Sequence, residues 1–135
     1  MQQKKTLVIG ASANPSRYSF LAVQKLTAHQ HPVVALGLKK AMIGNTAIET
    51  EKKPFADIDT VTLYLNPIRQ KEYYDYILSL NPKRIIFNPG TENEELYKLA
   101  AQKGIKTMKA CTLVLLSTGQ YWDAYSSIFS NRPFF

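Results

Sequence analysis

The residues best placed to do chemistry lie near the start of the chain, in the loop that follows a short apolar run. Residues 5–17 read Lys-Thr-Leu-Val-Ile-Gly-Ala-Ser-Ala-Asn-Pro-Ser-Arg. Gly10 lets the chain turn tightly and approach a ligand, and a helix after it would present unpaired N–H groups to a phosphate. The pattern predicts a nucleotide-like cofactor at this turn. The alternative is an ordinary turn, because Ser12 and Pro15 replace the later glycines of the Gly-x-Gly-x-x-Gly fingerprint.

A second loop discriminates between nucleotide ligands. NAD-binding domains usually carry Asp or Glu at the end of the second strand, where the carboxylate holds the ribose hydroxyls. This chain has Leu36-Gly37-Leu38-Lys39-Lys40 at that place. Two ammonium groups disfavour NAD and suit a ribose that bears an extra phosphate. Coenzyme A, with its 3′-phosphate, and NADP, with its 2′-phosphate, both meet this preference.

Candidates for catalysis are few. His29 and His31 come just before the second predicted strand, so we expect them at the amino end of the sheet as surface or loop residues. Cys111 follows the last predicted strand and is either a reactive thiol near Lys109 or a small core residue. The spacing of His, Cys, Asp and Glu does not match a metal site. The sequence therefore predicts no catalytic residues and no metal.

Apolar periodicity predicts the elements that must position these loops. Short runs rich in β-branched and aromatic residues alternate with helical patterns, and Gly, Pro or Asn bounds them. Near-continuous apolar character is typical of parallel strands that helices cover on both faces. We predict one α/β domain with a Rossmann-like, doubly wound parallel sheet of about five strands. The predicted strands are residues 7–9, 33–36, 61–65, 84–87 and 105–108.

The helical segments have recognisable ends. An apolar stripe from Tyr73 to Leu80 predicts a helix that ends before Asn81-Pro82. Thr91 and Glu94 have the spacing of a capping box, which predicts a second helix that ends at Gly104. A further helix is predicted over residues 112–117. Ligands of such sheets bind at the carboxyl ends of the strands, in the loops over residues 10–17, 37–40, 66–67, 88–90 and 109–111.

Composition limits the class of protein. The chain has 135 residues, 45% of them hydrophobic, which is enough for one domain with its own core. A single cysteine excludes an internal disulfide, and the sequence shows neither a signal peptide nor an apolar run of membrane-spanning length. We therefore expect a cytoplasmic protein without a membrane partner. The net charge of +7 favours anionic partners, but the lysines form no basic helix face, so nucleic acid is not expected.

Several short motifs, taken in order, resemble one family. They are Val8-Ile-Gly-Ala-Ser12, Asn14-Pro15, Tyr18, Lys39-Lys40, Ile43-Gly44, Asn66-Pro67 and Cys111. The set is similar to the small stand-alone CoA-binding domain proteins, which resemble the N-terminal CoA-binding domain of the succinyl-CoA synthetase alpha subunit. The resemblance covers about residues 4–120. It implies a Rossmann-like fold that binds CoA or an acyl-CoA.

The resemblance also implies where the ligand would lie. The first loop would face the phosphates, and the lysine pair would lie near the adenosine end. Together with the other carboxyl-end loops, the candidate cofactor-binding residues are Gly10, Ala11, Ser12, Asn14, Pro15, Arg17, Tyr18, Gly37, Leu38, Lys39, Lys40, Leu65, Asn66, Pro67, Asn88, Pro89 and Gly90.

The composition changes after Gly119. Tyr121, Trp122 and four further aromatic residues follow within 15 residues. We predict a cofactor-binding domain over residues 1–120 and an aromatic tail over 121–135 that packs on the domain or on a second subunit in a homodimer. The predicted function is a non-catalytic module that binds CoA or an acyl-CoA. The alternatives are an NADP-dependent oxidoreductase and a protein-interaction domain with a decayed ligand site.

Overall fold

A computed structural model describes residues 3–121. The strands within this range form one seven-stranded sheet. The strand order across the sheet is β3-β4-β2-β1-β5-β6-β7. All neighbouring strands are parallel except β3, which pairs with β4 in antiparallel fashion. The strands are β1 (Thr6–Ala11), β2 (Val33–Gly37), β3 (Ala41–Ile43), β4 (Thr46–Glu49), β5 (Thr60–Leu63), β6 (Arg84–Phe87) and β7 (Lys106–Lys109).

Helices connect β1 to β2, β5 to β6 and β6 to β7. Within the described part of the chain the helices are α1 (Tyr18–Ala28), α2 (Pro67–Gln70), α3 (Tyr74–Leu80), α4 (Glu94–Gln102) and α5 (Thr112–Ser117), and a 3-10 turn, Lys71–Tyr73, joins α2 to α3. None of these helices is long and apolar enough to cross a membrane.

The predicted fold class is confirmed, and the five predicted strands are all present as β1, β2, β5, β6 and β7. The predicted strand number was too low, because the sequence analysis missed the hairpin of β3 and β4. These strands are only three and four residues long, and Ile43 pairs with Thr46 around a two-residue turn, Gly44-Asn45. A Gly-Asn pair between short apolar runs is a hairpin signal, so the sequence did contain it.

Helices cover both faces of the sheet and bury alternate residues of each strand. Leu7 and Ile9 of β1 pack in a cluster with Ile77 of α3 and Leu96 of α4. Val8, between them, packs on the opposite face in a second cluster that holds α1 and α5. Because both faces are covered, the central strands consist of almost entirely buried residues, as the near-continuous apolar runs predict.

The connections create a reversal in strand order beside β1. From β1 the chain passes through α1 to β2 on one side, and after the hairpin it returns to place β5 on the other side of β1. Loops that leave neighbouring strands in opposite directions open a crevice at the carboxyl ends of the strands. The carboxyl edge of the sheet is therefore the place where this fold offers a binding site.

The start of α4 differs from the prediction. Thr91 does not cap the helix, because its hydroxyl donates to the carbonyl oxygen of Asn88 at 2.7 Å. Asn93 is the N-cap instead, and its side-chain oxygen accepts from the backbone N–H of Leu96 at 3.2 Å. Asn ranks above Thr as an N-cap, but the capping-box spacing of Thr91 and Glu94 favoured Thr91, so the local signals conflicted.

Candidate ligand-binding edge of the sheet

Gly10 allows the end of β1 to lie directly against the end of β5. Its φ is +91°, and a Cβ atom there would lie 3.0 Å from the carbonyl carbon of Tyr64 and 3.1 Å from the side chain of Leu65. The β1–β2 register also shifts between Ile9 and Ala11. The glycine that opens the first loop therefore serves close packing of the chain at the strand reversal.

Gly37 has the same role at the end of β2. A Cβ atom on Gly37 would overlap the carbonyl oxygen of Ala11 and lie 3.0 Å from the side chain of Ile48. A side chain at this position would therefore push β1 and β2 apart at the point where their loops diverge. Both glycines shape the edge through contacts within the protein.

The remainder of the β1–α1 loop is held by its own side chains. The hydroxyl of Ser12 accepts from the backbone N–H of Asn14 at 3.1 Å, and the Asn14 side-chain oxygen accepts from the backbone N–H of Ser16 at 3.0 Å. Arg17 is the N-cap residue of α1 and makes no side-chain cap, and the first turn of α1 contains no acidic residue. The partial positive charge at the start of α1 is therefore not neutralised by this helix itself.

The β2–β3 loop adds two positive charges. Lys39 and Lys40 are exposed, and within residues 3–121 neither forms an ion pair. The nearby carboxylate of Glu49 pairs with Lys53 at 2.6 Å, and this hydrogen bond and charge hold the pKa of Glu49 below its usual value. Lys40 also borders a shallow groove of about 350 Å³ whose other lining residues are Ala41, Met42, Ala47, Ile48 and Glu49.

The loop after β5 begins α2. The Asn66 side-chain oxygen accepts from the backbone N–H of Arg69 at 3.0 Å and caps the helix, and Pro67 occupies its first turn. The side chain of Asn66 thus shapes the loop. Large apolar side chains stand exposed at the starts of α2, α1 and the β2–β3 loop: Ile68 is 80% exposed, Tyr18 71% and Leu38 64%.

The loop after β6 rests on a buried amide. Asn88 is 3% exposed, and its side-chain nitrogen donates to Thr62 Oγ1 at 2.7 Å and to the Leu63 carbonyl at 2.9 Å. Its oxygen accepts from the backbone N–H of Thr112 at 2.9 Å. Asn88 therefore supports the edge from within, whereas Pro89 and Gly90 are exposed on it.

Gln70 is a residue of this edge that was not predicted from the sequence. Its side chain is fully buried, and Nε2 donates to the carbonyl oxygens of Leu65 and Thr91, both at 2.8 Å. Oε1 accepts from Asn93 Nδ2 at 2.8 Å. The surrounding sequence, Ile-Arg-Gln-Lys-Glu, resembles a solvent-exposed helix, so no sequence signal indicated that this glutamine would be buried.

Cys111 lies half-buried at the start of α5, at the carboxyl edge. Lys109 lies elsewhere than expected: its ammonium group is 3.7 Å from Glu94 and 4.9 Å from the ring centre of Tyr97, on the α4 side of the sheet. Near Cys111, the hydroxyl of Tyr64 is buried close to Thr62 and Thr112, and burial raises its pKa.

The two histidines lie at the amino edge, as predicted, but His31 is not a surface residue. It is 5% exposed, its Nδ1 accepts from the backbone N–H of Lys4 at 2.9 Å, and its ring meets Tyr121 edge-on at 4.9 Å. Burial, together with the positive charges of His29, Arg84 and Lys4, lowers the pKa of His31 to about 4. Tertiary packing of residues far along the chain encloses this side chain.

The parallel sheet, the strand reversal beside β1 and the loops that converge on one edge define a Rossmann-like α/β domain. A family model described as CoA binding domain matches residues 4–117. The chain therefore belongs to this CoA-binding domain family, as its motifs predicted.

Solved structures are similar to this chain. A crystal structure described as an uncharacterized protein is 47% identical, with a TM-score of 0.86 over 89% of this chain and 99% of that one. A hypothetical protein from Pyrococcus horikoshii OT3 is 23% identical, with a TM-score of 0.78 over 87% and 84% of the two chains. Cell-free ID.343 from Thermus thermophilus is 20% identical, with a TM-score of 0.73 over 88% and 91%. The last two show the fold alone, and no curated protein matches.

Proposed function

We propose that this protein binds coenzyme A or an acyl-CoA at the carboxyl edge of its sheet and acts as a non-catalytic binding module. The observation that carries the proposal is the position of Lys39 and Lys40. They follow β2 and are exposed without ion pairs in the described part of the chain, at the place where NAD-binding sheets carry a carboxylate. Family membership supports CoA as the ligand whose phosphate these lysines would bind.

The residues of the edge fit a ligand with several phosphates. The β1–α1 loop, with Ala11, Ser12, Asn14, Pro15 and Arg17, would hold the diphosphate at the uncapped start of α1. The two lysines would hold the 3′-phosphate, and exposed Tyr18 and Leu38 would provide apolar contacts. Gly10 and Gly37 would act indirectly, because they bring the strand ends together.

The proposal of a binding module rather than an enzyme rests on where the two histidines lie, because Cys111, half-buried at the carboxyl edge, has neither of them beside it. His31 is buried at the amino edge, opposite the candidate site, and His29 bonds through its ring to the Lys25 carbonyl at the end of α1. Within residues 3–121, no cluster of His, Cys, Asp and Glu could hold a metal ion.

We also propose a cytoplasmic location and a homodimer formed through the aromatic tail; residues 122–135 lie outside the described part of the chain.

Thermal unfolding with a ligand series tests the proposal. CoA, acetyl-CoA, dephospho-CoA, NADPH, NADH and ATP are compared at equal concentration, because a ligand at 100 times its Kd stabilises the native state by about 2.7 kcal/mol. We expect CoA and acetyl-CoA to raise Tm, and dephospho-CoA to raise it less. A rise with NADPH alone would favour an NADP-dependent oxidoreductase. No rise with any ligand would overturn the proposal and favour a protein-interaction role.

A further inference from the structure

Gln70 links the two loops on the β5–β6 side of the candidate site. One nitrogen, Nε2, donates to the carbonyl of Leu65 after β5 and to that of Thr91 after β6, each at 2.8 Å. Its oxygen accepts from Asn93, which also caps α4 and donates to the hydroxyl of Tyr74 at 2.8 Å. A primary amide has two N–H donors, so both are used, and each holds a different loop.

The contacts of Leu65 extend this link to β1. The Leu65 side chain packs close to the β1 turn, because a Cβ atom on Gly10 would lie only 3.1 Å from it. The preceding residue, Tyr64, donates its backbone N–H to the Ile9 carbonyl at 2.9 Å. The position of Leu65 thus depends on Gln70 from one side and on the β1 turn from the other. Gln70 is fully buried, and Thr91 and Asn93, to which it bonds, are nearly so.

The charges of the edge divide it into two halves. The half at the ends of β1 and β2 contains Arg17, Lys39 and Lys40. The half at the ends of β5 and β6, residues 64–68 and 88–91, carries no charge itself, although Arg69 follows it in α2 and the carboxylate of Glu92 accepts from the backbone N–H of Gly90 at 2.9 Å. With a carboxylate on its β6 loop and no lysine pair, this half is less favourable for a phosphate than the β1–β2 half. It offers backbone groups and the side chain of Ile68, which is 80% exposed. CoA has a matching division, because its nucleotide carries all the phosphates and its pantetheine arm is an uncharged chain of amides and methylenes.

We propose that Gln70 is a positioning residue that holds the β5 and β6 loops in place for the pantetheine arm of CoA. This inference rests on the proposed function. Gln70 does not touch the ligand itself; it fixes the loop backbone that does. Its loss should therefore weaken contacts with the pantetheine arm and leave contacts with the nucleotide intact.

Isothermal titration of Gln70→Glu with two ligands tests the inference. CoA contains both halves, whereas adenosine 3′,5′-bisphosphate is its nucleotide without the second 5′-phosphate and the pantetheine arm. Glu has the shape of Gln, but its carboxylate cannot donate to the two loop carbonyls. We expect the affinity for CoA to fall about fivefold or more, since the displaced loop backbone would lose at least one hydrogen bond to the pantetheine amides, and the affinity for the bisphosphate to stay within about twofold.

Three further variants keep the result interpretable. Tyr121→Phe removes a buried hydrogen bond at the amino edge and should lower stability without changing the ratio of the two affinities. Ile68→Ala alters only an exposed side chain on α2, so it does not threaten folding. If Gln70→Glu fails to fold, Gln70→Met takes its place, because it keeps the length of the side chain, adds no buried charge and cannot donate to the two loop carbonyls. Ile68→Ala tests separately whether this half holds the pantetheine arm: it should weaken CoA and not the bisphosphate.

The outcomes separate the inference from the proposed function. If Gln70→Glu weakens both ligands equally, or weakens neither, Gln70 is only a structural residue and the inference is wrong. If the unaltered protein binds CoA no more tightly than the bisphosphate, the β5–β6 half does not hold the pantetheine arm, although the nucleotide site stands. If it binds neither ligand, the proposed function itself fails.

Discussion

The hydroxyl oxygens of Thr6 and Tyr121 lie 2.6 Å apart in the buried amino edge of the sheet. Thr6 already donates its only hydroxyl proton to the carbonyl of Lys4 at 2.8 Å, so Tyr121 is the donor. The ring of Tyr121 lies 4.4 Å from the guanidinium carbon of Arg84, whose Nη2 donates to the Tyr121 carbonyl at 2.7 Å. Tyr121, which follows α5, thereby links β1 and β6 through hydrogen bonds at the edge opposite the candidate ligand site.

Tyr121→Phe should lower the free energy of unfolding by about 1 kcal/mol, the usual net value of one buried hydrogen bond. The ring contacts with Arg84 and His31 remain, which limits the loss. Urea denaturation measures the change. Tyr76→Phe is the matched control: its hydroxyl donates to the Lys53 carbonyl at 2.6 Å in a more exposed position, so its loss should be smaller. Equal losses would mean that burial does not strengthen the Tyr121 contact.

Stability should decrease as the pH falls from about 6.5 to about 4, because of His31. Its pKa in the native state is about 4, whereas the unfolded chain protonates near 6.5, so the unfolded state binds more protons in this range. Each unit of pKa difference corresponds to about 1.4 kcal/mol, so His31 accounts for a loss of a few kcal/mol at most over this range.

Denaturation curves at several pH values measure this effect. His31→Gln keeps an acceptor for the Lys4 backbone and has no imidazole to titrate, so its stability should depend less on pH in this range. Carboxylates titrate in both proteins, and the difference between the two curves isolates His31. Parallel curves would contradict the assignment.

Replacing Lys39 and Lys40 by alanine should weaken CoA binding by about tenfold or more, because charge-assisted hydrogen bonds contribute about 1.5–3 kcal/mol each. Dephospho-CoA lacks the 3′-phosphate, so the same variant should bind it about as well as the unaltered protein does. Titration calorimetry measures both ligands. Lys98→Ala with Lys103→Ala is the control, since these exposed lysines of the α4 region remove equal charge away from the edge. Equal losses for both ligands would contradict the 3′-phosphate assignment.

Gly37→Ala should destabilise the protein by about 1–3 kcal/mol, because its Cβ would overlap the Ala11 carbonyl and separate β1 from β2. Gly104→Ala is a control for backbone strain without a steric clash. Gly104 has a φ of +73° but open space around it, so only backbone strain of about 1 kcal/mol is expected there. Thermal unfolding compares the two. A smaller loss of stability for Gly37→Ala than for Gly104→Ala would mean that β1 and β2 can separate with little loss of packing energy.

Local sequence patterns were sufficient for most of the fold. The apolar runs of β1, β2, β5, β6 and β7 and the amphipathic helices between them are periodic over a few residues, so they could be recognised without contacts. The same patterns predicted which loops share the carboxyl edge, since parallel strands end on the same side. The short strands of the missed hairpin were too brief for periodicity, and only the Gly44-Asn45 turn indicated them.

The sequence by itself determined the fold class, the family and the position of the basic pair after β2, because each depends on residue types at short spacing. Tertiary structure decided which polar residues are buried and what they hold. Gln70 contacts Thr91 across 21 residues, and Tyr121 contacts Thr6 across 115, so no local pattern could reveal either pair. The physical reason is that burial and hydrogen bonding depend on neighbours brought together by folding, whereas periodicity depends only on neighbours along the chain.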